Sequence, residues 1–361
     1  MSLPWLFYNF FFDLFVAFLF LVFSGLTYIA AIRNHNEPYS GKPRSKALVI
    51  VPCRGLDYSL EANLRSIMKQ DYGHHDIIAV VDSADDASVP VLNAVGMKWM
   101  LTTDRCLNCS GKVRAISSAI NGSDPYEVYV IADSDILVKP DWLSKLLCPL
   151  VDPQTGVSTT FPYFEPVGGF WSKVKLIWGF VGLGMMESSI TRFGWGGSLA
   201  FRAELIQGEG MEFFRNFVSD DIALTKLCKK MGLKIAYVKE AMPTINSPDD
   251  FATFMEWANR QTALSVYSTR SVLRLGLIFY GASILLSISS IILTFLVFPL
   301  FALFLIPALI NAARAVKRSG KLPVYSFFIS LLIPFIYIYN LTKAAGMKSI
   351  SWRGRDYSLE E

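Results

Sequence analysis

Net charge is nearly absent from this sequence. The 361 residues include 34 Lys and Arg against 30 Asp and Glu, which leaves a formal net charge of +4. A chain that binds nucleic acid through its overall charge has a much larger basic excess, so no nucleic-acid partner is expected. The positive charge is local instead, and it lies in Arg33 to Lys46, Arg314 to Lys321 and Lys343 to Arg355.

Cysteine is also rare, and its positions follow no regular spacing. The chain has five, at Cys53, Cys106, Cys109, Cys148 and Cys228. An odd number of scattered cysteines favours reduced thiols that face a cytosol. Cys106 and Cys109 form a Cys-x-x-Cys pair, but no second pair and no histidine cluster completes a zinc site. The pair is therefore predicted to be structural or incidental.

The spacing of a P-loop is missing as well. Ser110-Gly111-Lys112 opens a segment of helical pattern that extends to Ile120, but the Gly-x-x-x-x-Gly-Lys spacing is not there. Lys112 could still neutralise the charge of a bound phosphate. The alternative is a lysine that is solvated at the start of a helix.

Apolar residues, in contrast, are abundant. Hydrophobic residues make up 52% and aromatic residues 14% of the chain, and the mean hydropathy of +0.38 indicates membrane segments. Residues 1–33 are predicted to form an N-terminal transmembrane helix, because the run from Trp5 to Ala31 is long enough to cross a bilayer core of about 30 Å. Residues 34–46 form a basic linker that marks the cytoplasmic side.

Residues 271–345 are predicted to form two to three transmembrane or re-entrant helices. The apolar run from Leu275 to Ile310 is too long for one span of about 20 residues and is expected to break near Pro299. The segment from Pro323 to Leu341 is a third candidate. Three crossings would place the basic tail, residues 346–361, outside the cell, against the tendency of basic residues to stay inside. One of these segments is therefore a candidate for a re-entrant or interfacial helix.

Residues 47–270 are predicted to form an α/β domain. The pattern predicts strands over 47–52, 76–81 and 127–132 and helices over 60–67 and 112–120. Because strands alternate with helices, a mostly parallel sheet is expected. Residues 171–190 are rich in aromatic side chains and are predicted to form a helix at the membrane surface. A buried helix is the alternative for that segment.

Two carboxylates stand one residue apart in Asp133-Ser134-Asp135, directly after the third predicted strand. This spacing places both acids on the same side of an extended chain. They fall at the carboxyl end of the strand, where open α/β sheets bind ligands. Two hard oxygen ligands suit Mg²⁺ or Mn²⁺ when a diphosphate supplies the other ligands. The alternative is a polar turn.

The first two predicted strands also end in polar residues. Pro52-Cys53-Arg54-Gly55 could bring backbone amides and the Arg54 guanidinium to a base or phosphate, and the alternative is an ordinary turn. A carboxylate at Asp82 could accept a hydrogen bond from a nucleobase or a sugar. The neighbouring Asp85 and Asp86 are expected to be solvated loop acids.

A second pair of acids, Asp220 and Asp221, precedes a helix predicted to run to Met231. Ser219 or Asp220 could cap that helix. Alternatively, repulsion between the two acids raises the pKa of one of them and makes it suitable as a general base. The metal-binding pattern in the same domain favours the catalytic interpretation.

The order of these motifs resembles that of the family 2 glycosyltransferases with a GT-A, Rossmann-like fold, and most of all the ceramide glucosyltransferase group. The motifs that carry the resemblance are Asp82, Gly111-Lys112-x-x-Ala115, Asp133-x-Asp135, Gly196 to Arg202, Asp220-Asp221, Trp257 and Arg260-Gln261. The resemblance implies that Asp82 contacts the base of a nucleotide and that Ser134 lies within the donor site. It also implies that Asp133 and Asp135 bind the metal, with Asp135 as the direct ligand, and that Asp221 is the catalytic base.

One motif departs from the family pattern. The family has Gln-x-x-Arg-Trp after the acid pair, whereas this chain has Trp257-Ala258-Asn259-Arg260-Gln261. Arg260 matches the arginine and is implied to contact the diphosphate, while Trp257 and Gln261 replace the flanking residues. The alternative is an ordinary amphipathic helix. The departure counts against a processive polysaccharide synthase, where the standard motif is expected.

The C-terminal tail resembles a Trp-x-Gly-Arg-x-Tyr signature of related lipid glycosyltransferases, in Trp352 to Tyr357. The alternative is a solvated basic tail. If the signature reaches the active site, the tail must be cytoplasmic, which favours a re-entrant segment before it.

The resemblance implies an integral membrane enzyme with its catalytic domain on the cytoplasmic side. It would transfer a sugar from a nucleotide diphosphate donor, expected to be a UDP-sugar, to a membrane lipid, with inversion and with Mg²⁺ or Mn²⁺. The alternatives are a processive polysaccharide synthase, a dolichyl- or polyprenyl-phosphate sugar transferase, and a membrane scaffold with a degenerate nucleotide-binding domain. An aspartate-nucleophile phosphatase would need a threonine after the second acid, where Ile136-Leu137-Val138 follows.

Overall fold

The computed structural model describes residues 39–106, 109–320 and 322–359, together with residues 11, 12, 14, 15, 17–22, 25, 26 and 29. The chain divides into two units. The sheet unit comprises the described parts of His35–Ser172, Gly182–Asp250 and Lys348–Glu361, and the helical unit those of Met1–Asn34, Lys173–Val181 and Phe251–Met347.

The strands belong to the sheet unit. They are β1 (Ala47–Pro52), β2 (His75–Val81), β3 (Trp99–Leu101), β4 (Val128–Ala132), β5 (Ile136–Leu137), β6 (Thr155–Thr159), β7 (Tyr163–Pro166), β8 (Ser198–Arg202), β9 (Lys234–Tyr237), β10 (Thr244–Ser247), β11 (Ser349–Trp352) and β12 (Arg355–Ser358).

The helices are divided between the units. In the sheet unit they are α1 (Leu60–Met68), α2 (Val89–Val95), α3 (Gly111–Asn121), α4 (Trp142–Leu147), α6 (Glu209–Arg215) and α7 (Asp220–Lys230), and α5 (Phe170–Met186) contributes its ends. The helical unit holds the middle of α5, α8 (Phe251–Ser268), α9 (Ser271–Leu296), α10 (Ile306–Ser319) and α11 (Pro323–Ala345). Short 3-10 helices cover Cys148–Val151, Ala203–Ile206, Lys239–Ala241 and Pro299–Leu305.

The main sheet has the strand order β3-β2-β1-β4-β8-β6-β9. Adjacent strands from β3 to β4 are parallel, as are β6 and β9, whereas β8 is antiparallel to both of its neighbours. The expected mostly parallel α/β fold is therefore confirmed. A smaller sheet has the order β5-β10-β7, and β11 and β12 form a separate antiparallel hairpin.

The core of the sheet unit follows from its continuous apolar strands. All of β4 and the first five residues of β1 are buried, as expected for strands covered on both faces. The side chains of Val113, Ile116 and Ala119 on α3 recur at helical spacing and pack into this core. Because Ile116 is fully buried, its replacement by alanine is expected to cost about 2–5 kcal/mol. This packing fixes where each loop leaves the sheet.

The predicted secondary structure of this unit is confirmed within one or two residues. The strands predicted over 47–52, 76–81 and 127–132 correspond to β1, β2 and β4, and the helices over 60–67 and 112–120 to α1 and α3. The helix expected to run to Met231 ends at Lys230. The expectation of reduced thiols was wrong for Cys106 and Cys109, which are joined in a disulfide with their Cα atoms 5.8 Å apart.

Within the described residues, the helical unit contains three stretches long and apolar enough to cross a membrane: Ser271–Leu296, Pro299–Ser319 and Val324–Ala345. The break expected near Pro299 is confirmed, since α9 ends at Leu296 and a 3-10 helix begins at Pro299. The basic residues Arg314, Lys317 and Arg318 lie on α10, which ends at Ser319.

The N-terminal segments lie partly outside the described residues. The described residues between 11 and 29 are helical, and large apolar side chains such as Phe11, Phe15 and Leu21 are exposed on them. The transmembrane helix over 1–33 and the basic linker over 34–46 stay predictions. The segment over 171–190 corresponds to α5, whose residues Val174, Leu176 and Trp178 are buried; its contact with a membrane surface is also a prediction.

Candidate active site

Three predicted site segments meet at one edge of the main sheet. Strands β2, β1 and β4 are parallel neighbours, so the loops that follow their carboxyl ends gather there. Pro52 ends β1, and Arg54 Nη1 lies 3.2 Å from Asp82 Oδ2, just past β2. The loop after β4 adds Asp133. The edge therefore presents one arginine and several carboxylates to any ligand.

Asp86 is not the solvated loop acid that was expected. Its carboxylate accepts a hydrogen bond from the backbone N–H of Gly55 at 2.9 Å and from both the backbone N–H and the hydroxyl of Ser88. Burial alone would raise the pKa of Asp86, but these hydrogen bonds and the charge of Arg54 lower it below its usual value. Asp86 thus holds the Gly55 loop in place, whereas Asp85 is exposed.

The residues of the Asp133-Ser134-Asp135 turn alternate in burial. Asp133 and Asp135 are half-buried and Ser134 is buried. The Ser134 carbonyl accepts a hydrogen bond from Asn63 Nδ2 at 3.1 Å, and its hydroxyl donates to Asp57. Ser134 therefore anchors the turn, and its predicted place in the donor site stays a prediction.

The turn offers two carboxylates to a metal ion. Within the described part of the chain, no group of three or more His, Cys, Asp and Glu side chains could hold a metal by itself. Asp133 and Asp135 could hold a hard divalent cation such as Mg²⁺ or Mn²⁺ only if a ligand or water completed the shell. A nucleotide diphosphate has the required oxygens, so the donor set fits a metal that arrives with the donor.

Lys112 is the buried cation of the site. Its Nζ lies 2.7 Å from Asp133 Oδ1 and 3.3 Å from Asp220 Oδ1, and it donates to the Gly196 carbonyl at 3.1 Å. Burial would lower its pKa, but Asp133 and then Asp220 raise it, so the side chain stays charged. The alternative of a lysine solvated at the start of a helix is wrong, because this side chain is buried.

The two acids at the start of α7 lie in different environments. Asp220 is buried, and Asp221 is half-buried. Burial raises the pKa of Asp220 to about 7; Lys112 opposes this shift, and the charges of Asp221 and Asp133 add to it. The expectation that one acid of the pair has a raised pKa applies to Asp220.

Asp221 is held by three donors. Its carboxylate accepts hydrogen bonds from the Ser219 hydroxyl, from the Ile222 backbone N–H at 2.7 Å and from the Gly196 backbone N–H at 3.4 Å. Ser219 occupies the N-cap position of α7 but makes no side-chain capping bond. The capping expectation for Ser219 is therefore wrong, because its hydroxyl orients Asp221 instead.

The C-terminal hairpin adds residues that were not among the predicted site residues. Arg355 Nη1 lies 3.1 Å from Asp82 Oδ2, and Arg353 is ion-paired with Asp57. The Tyr357 hydroxyl accepts a hydrogen bond from the Gly111 backbone N–H at 3.2 Å. The alternative of a solvated basic tail is wrong for these residues. The Trp-x-Gly-Arg-x-Tyr signature was the signal that could have identified them.

Trp257, Arg260 and Gln261 all lie on α8, in the helical unit. The Trp257 ring contacts Trp178, with centroids 5.0 Å apart, and the Lys175 ammonium lies 4.6 Å above it. The implied diphosphate contacts of these α8 residues stay predictions.

Two solved structures of known proteins are similar to this chain. A mannosyltransferase from Pyrobaculum calidifontis, solved with GDP-Man and Mn²⁺, matches 92% of this chain and 99% of its own, with 18% identity and a TM-score of 0.56. A glucosyl-3-phosphoglycerate synthase from Mycobacterium tuberculosis, solved with Mn²⁺ and UDP-glucose, matches 62% of this chain and 79% of its own, with 16% identity and a TM-score of 0.42. The first likeness shows that the fold is of the GT-A type.

The family match covers nearly the whole sequence. Residues 14–361 match the model of glycosyl transferase family 21. The chain belongs to this family and is therefore a glycosyltransferase. Family 21 is a more specific assignment than the family 2 membership that was expected from the motifs.

Proposed function

We propose that this protein transfers a sugar from a nucleotide diphosphate sugar to the hydroxyl of a membrane lipid, with inversion, as ceramide glucosyltransferases do. One observation supports the proposal most. Lys112 pairs with Asp133 of the metal-binding turn and with Asp220 of the acid pair. The turn that would bind the metal with the donor and the acid pair that would supply the base are therefore neighbours, as one displacement requires.

The donor would lie along the carboxyl edge of β2, β1 and β4. Asp82, Arg54, Pro52 and Gly55 would surround the nucleoside. Asp133 and Asp135 would hold Mg²⁺ or Mn²⁺ with the diphosphate, and the ion would supply charge neutralisation when the diphosphate departs. A protein of the same fold is solved with GDP-Man and Mn²⁺, which supports a donor of this class. We assign Arg260, with Trp257 and Gln261 beside it, to the same diphosphate.

Asp221 would act as the general base. The Ser219 hydroxyl and the Ile222 N–H fix its Oδ1, so its other oxygen can take the proton of the acceptor hydroxyl. That hydroxyl then attacks the anomeric carbon from the face opposite the diphosphate, and one displacement inverts the configuration. Asp220 is bound to Lys112 and would support its neighbour electrostatically.

The hairpin contacts restrict the membrane topology of this proposal. Residues 349–358 belong to the same unit as residues 47–172 and 182–250, and Arg355 is paired with Asp82. The chain between them must therefore leave and return on the same side of the membrane, so only an even number of the three candidate stretches can cross it.

Contacts within the helical unit favour α11 as the stretch that does not cross. The Lys173 ammonium lies 4.8 Å from the ring of Tyr325 near the start of α11, and Trp178 Nε1 donates to Asn340 Oδ1 near its end at 3.1 Å. Residues near both ends of α11 thus contact the part of α5 that belongs to the helical unit. Crossings by α9 and by residues 299–319 return Arg314 and Arg318 to the side of the catalytic domain, which we assign to the cytoplasm.

The transfer reaction can be tested directly. The purified protein is incubated with UDP- and GDP-sugars, membrane lipid extract and either Mn²⁺ or Mg²⁺, and products are identified by mass spectrometry and NMR. We expect a lipid with one added sugar of inverted anomeric configuration. A polymer would indicate a processive synthase, and a sugar linked to a polyprenyl phosphate would indicate the other transferase class.

The base assignment has its own test. Asp221→Asn is expected to lower kcat by about 10²- to 10⁴-fold, because no base then accepts the proton, while donor affinity is retained. Asp124→Asn, a change at an exposed loop acid, is the matched control and should leave kcat unchanged. Unaltered transfer by Asp221→Asn would rule out this role.

A further inference from the structure

The C-terminal hairpin turns through two residues with positive φ. Trp352 pairs with Arg355 across the turn, and φ is 49° at Arg353 and 72° at Gly354. Two-residue turns of this kind favour Asn-Gly or Gly-Gly. An arginine at the first position is strained by about 1–3 kcal/mol, which suggests that its side chain is needed at the tip.

The tip of the hairpin contacts the loop after β1. Arg353 Nη1 donates to the carbonyl of Arg54, and Arg353 Nη2 is ion-paired with Asp57 Oδ1. Burial would lower the pKa of Arg353, but Asp57, and after it Asp135 and Asp133, raise it. The guanidinium therefore lies within the electrostatic reach of both metal-binding acids.

Asp57 joins this tip to the metal-binding turn. One of its oxygens accepts from Arg353, and the other accepts from the hydroxyl of Ser134, the residue between Asp133 and Asp135. The Asp57 side chain is 12% exposed, and these partners compensate its removal from water. The position of the hairpin and the position of the metal-binding turn are thus coupled through one carboxylate.

The second strand of the hairpin contacts the nucleoside side of the site. Arg355 is paired with Asp82, and Tyr357 accepts a hydrogen bond from the first N–H of α3. Arg355 Nη1 is buried, yet it makes no aligned hydrogen bond within the described residues. This nitrogen is ion-paired with Asp82 but is not aligned for a hydrogen bond with it, so an anionic ligand can compete for its N–H groups.

The two arginines are placed to bind a further anion. Both are about one-third exposed, at 31% for Arg353 and 33% for Arg355, and ion pairs of this exposure are weak. A diphosphate offers more negative charge and a geometry that binds a guanidinium through two hydrogen bonds. For Arg355, replacing Asp82 by such a ligand is therefore favourable, since Asp82 keeps its pair with Arg54.

We propose that the C-terminal hairpin is part of the donor site. Arg353 and Arg355 bind the nucleoside diphosphate, and Asp57 is a positioning residue that couples the hairpin to the metal-binding turn. This inference rests on the proposed function, because it needs a nucleoside diphosphate at the sheet edge.

The binding of UDP and GDP in the presence of Mn²⁺ tests the arginines without any transfer reaction. Calorimetry on the full chain in detergent should show about 10- to 100-fold weaker binding for Arg353→Ala and Arg355→Ala, as expected for the loss of a charge-assisted hydrogen bond. Arg65→Ala removes another ion-paired arginine, on α1, and should leave the affinity unchanged. Thermal unfolding checks that all three variants are folded.

The role of Asp57 needs a readout that a structural defect would not move. Electron paramagnetic resonance of Mn²⁺ should show weaker metal binding in Asp57→Asn, with KM for the donor raised and kcat little changed. Asp57→Glu, which keeps the charge, should recover part of the metal affinity. Asp124→Asn is the control.

Hydrogen exchange of the wild-type protein gives an independent measurement. Adding UDP or GDP with Mn²⁺ should slow exchange in Ser349–Trp352 and Arg355–Ser358. Unchanged exchange there, together with wild-type nucleotide affinity in both arginine variants, would overturn the hairpin inference while transfer activity persists. Failure of the wild-type chain to bind either nucleotide or to transfer a sugar would reject the proposed function as well.

Discussion

Two kinds of cation neutralise the acids of the candidate site, and they differ in burial. The side chain of Lys112 is 8% exposed and pairs with Asp133 and Asp220. The side chain of Arg355 is 33% exposed and pairs with Asp82. Lys112 comes from a helix that packs on the main sheet. Arg355 comes from the C-terminal hairpin, which follows residues 251–347 of the helical unit in the sequence.

This difference separates a fixed charge from an exchangeable one. Removing one member of a buried pair leaves an uncompensated charge and costs several kcal/mol. Breaking an exposed pair costs little, because water solvates both groups. Lys112 therefore maintains the architecture of the site, and the hairpin arginines are free to respond to a ligand.

The largest expected effect is on stability. Lys112→Ala leaves Asp133 and Asp220 without their buried partner and should lower the free energy of unfolding by about 3–5 kcal/mol. Chemical denaturation in detergent micelles measures the change. Lys145→Ala breaks an exposed pair with Asp141 and should cost under about 1 kcal/mol. Equal losses in the two variants would contradict the distinction between fixed and exchangeable charges.

The second prediction concerns pH. The pKa of Asp220 is raised from 3.8 to about 7 in the folded protein. At a pH between these two values, the Asp220 carboxyl is protonated in the folded protein and ionised in the unfolded chain. Its contribution to stability is full at low pH and is lost as the pH rises through about 7. The thermal midpoint should therefore decrease as the pH rises from about 4 to about 7, and Asp220→Asn should flatten this slope. A wild-type slope in that variant would assign the titration to another group.

A smaller effect, on nucleotide affinity, is expected from a steric clash that displaces the Arg355 side chain without removing it. A Cβ at Gly111 would lie 2.8 Å from Arg355 Nη1, so Gly111→Ala should displace the guanidinium, which is the flexible end of a side chain. Nucleotide affinity should fall several-fold while the thermal midpoint stays within a few degrees of wild type. At Gly73 an added Cβ meets open space, and Gly73→Ala should change neither quantity.

The smallest effect is that of salt on the unliganded protein. Raising NaCl from about 0.1 M to 1 M shortens the Debye length from about 10 Å to 3 Å. Hydrogen exchange in residues 349–358 should become faster, because the exposed hairpin pairs are screened. Exchange in the first turn of α3, around the buried Lys112, should not change. A uniform response would argue against two classes of cation.

The parts of this site that follow strands could be predicted from the sequence. Buried apolar runs of β1, β2 and β4 have an unmistakable pattern, and parallel neighbours bring their carboxyl ends together. Asp82 and Asp133 therefore appear at one edge as expected. The environment of each acidic side chain was harder to predict, since the neighbouring sequence does not distinguish the exposed Asp85 from the hydrogen-bonded Asp86.

The missed residues depend on contacts between distant parts of the chain. Asp57 stands in a loop without a motif, and its role arises only where Arg353 and Ser134 meet it. The burial of Lys112 likewise follows from the approach of α7. Periodicity reports which face of an element is covered but not by what, so these pairings have no signal in a single sequence.

The place of the hairpin in chain order has a consequence for biosynthesis. Residues 47–250 leave the ribosome first, and the apolar stretches of residues 251–347 follow before Arg353 and Arg355 are made. Until then the nascent sheet edge holds Asp57 without Arg353, and Asp82 with Arg54 but without Arg355. If the hairpin binds the donor as we propose, a full donor site forms only on chains whose membrane helices have already been synthesised, which couples catalytic maturation to membrane insertion.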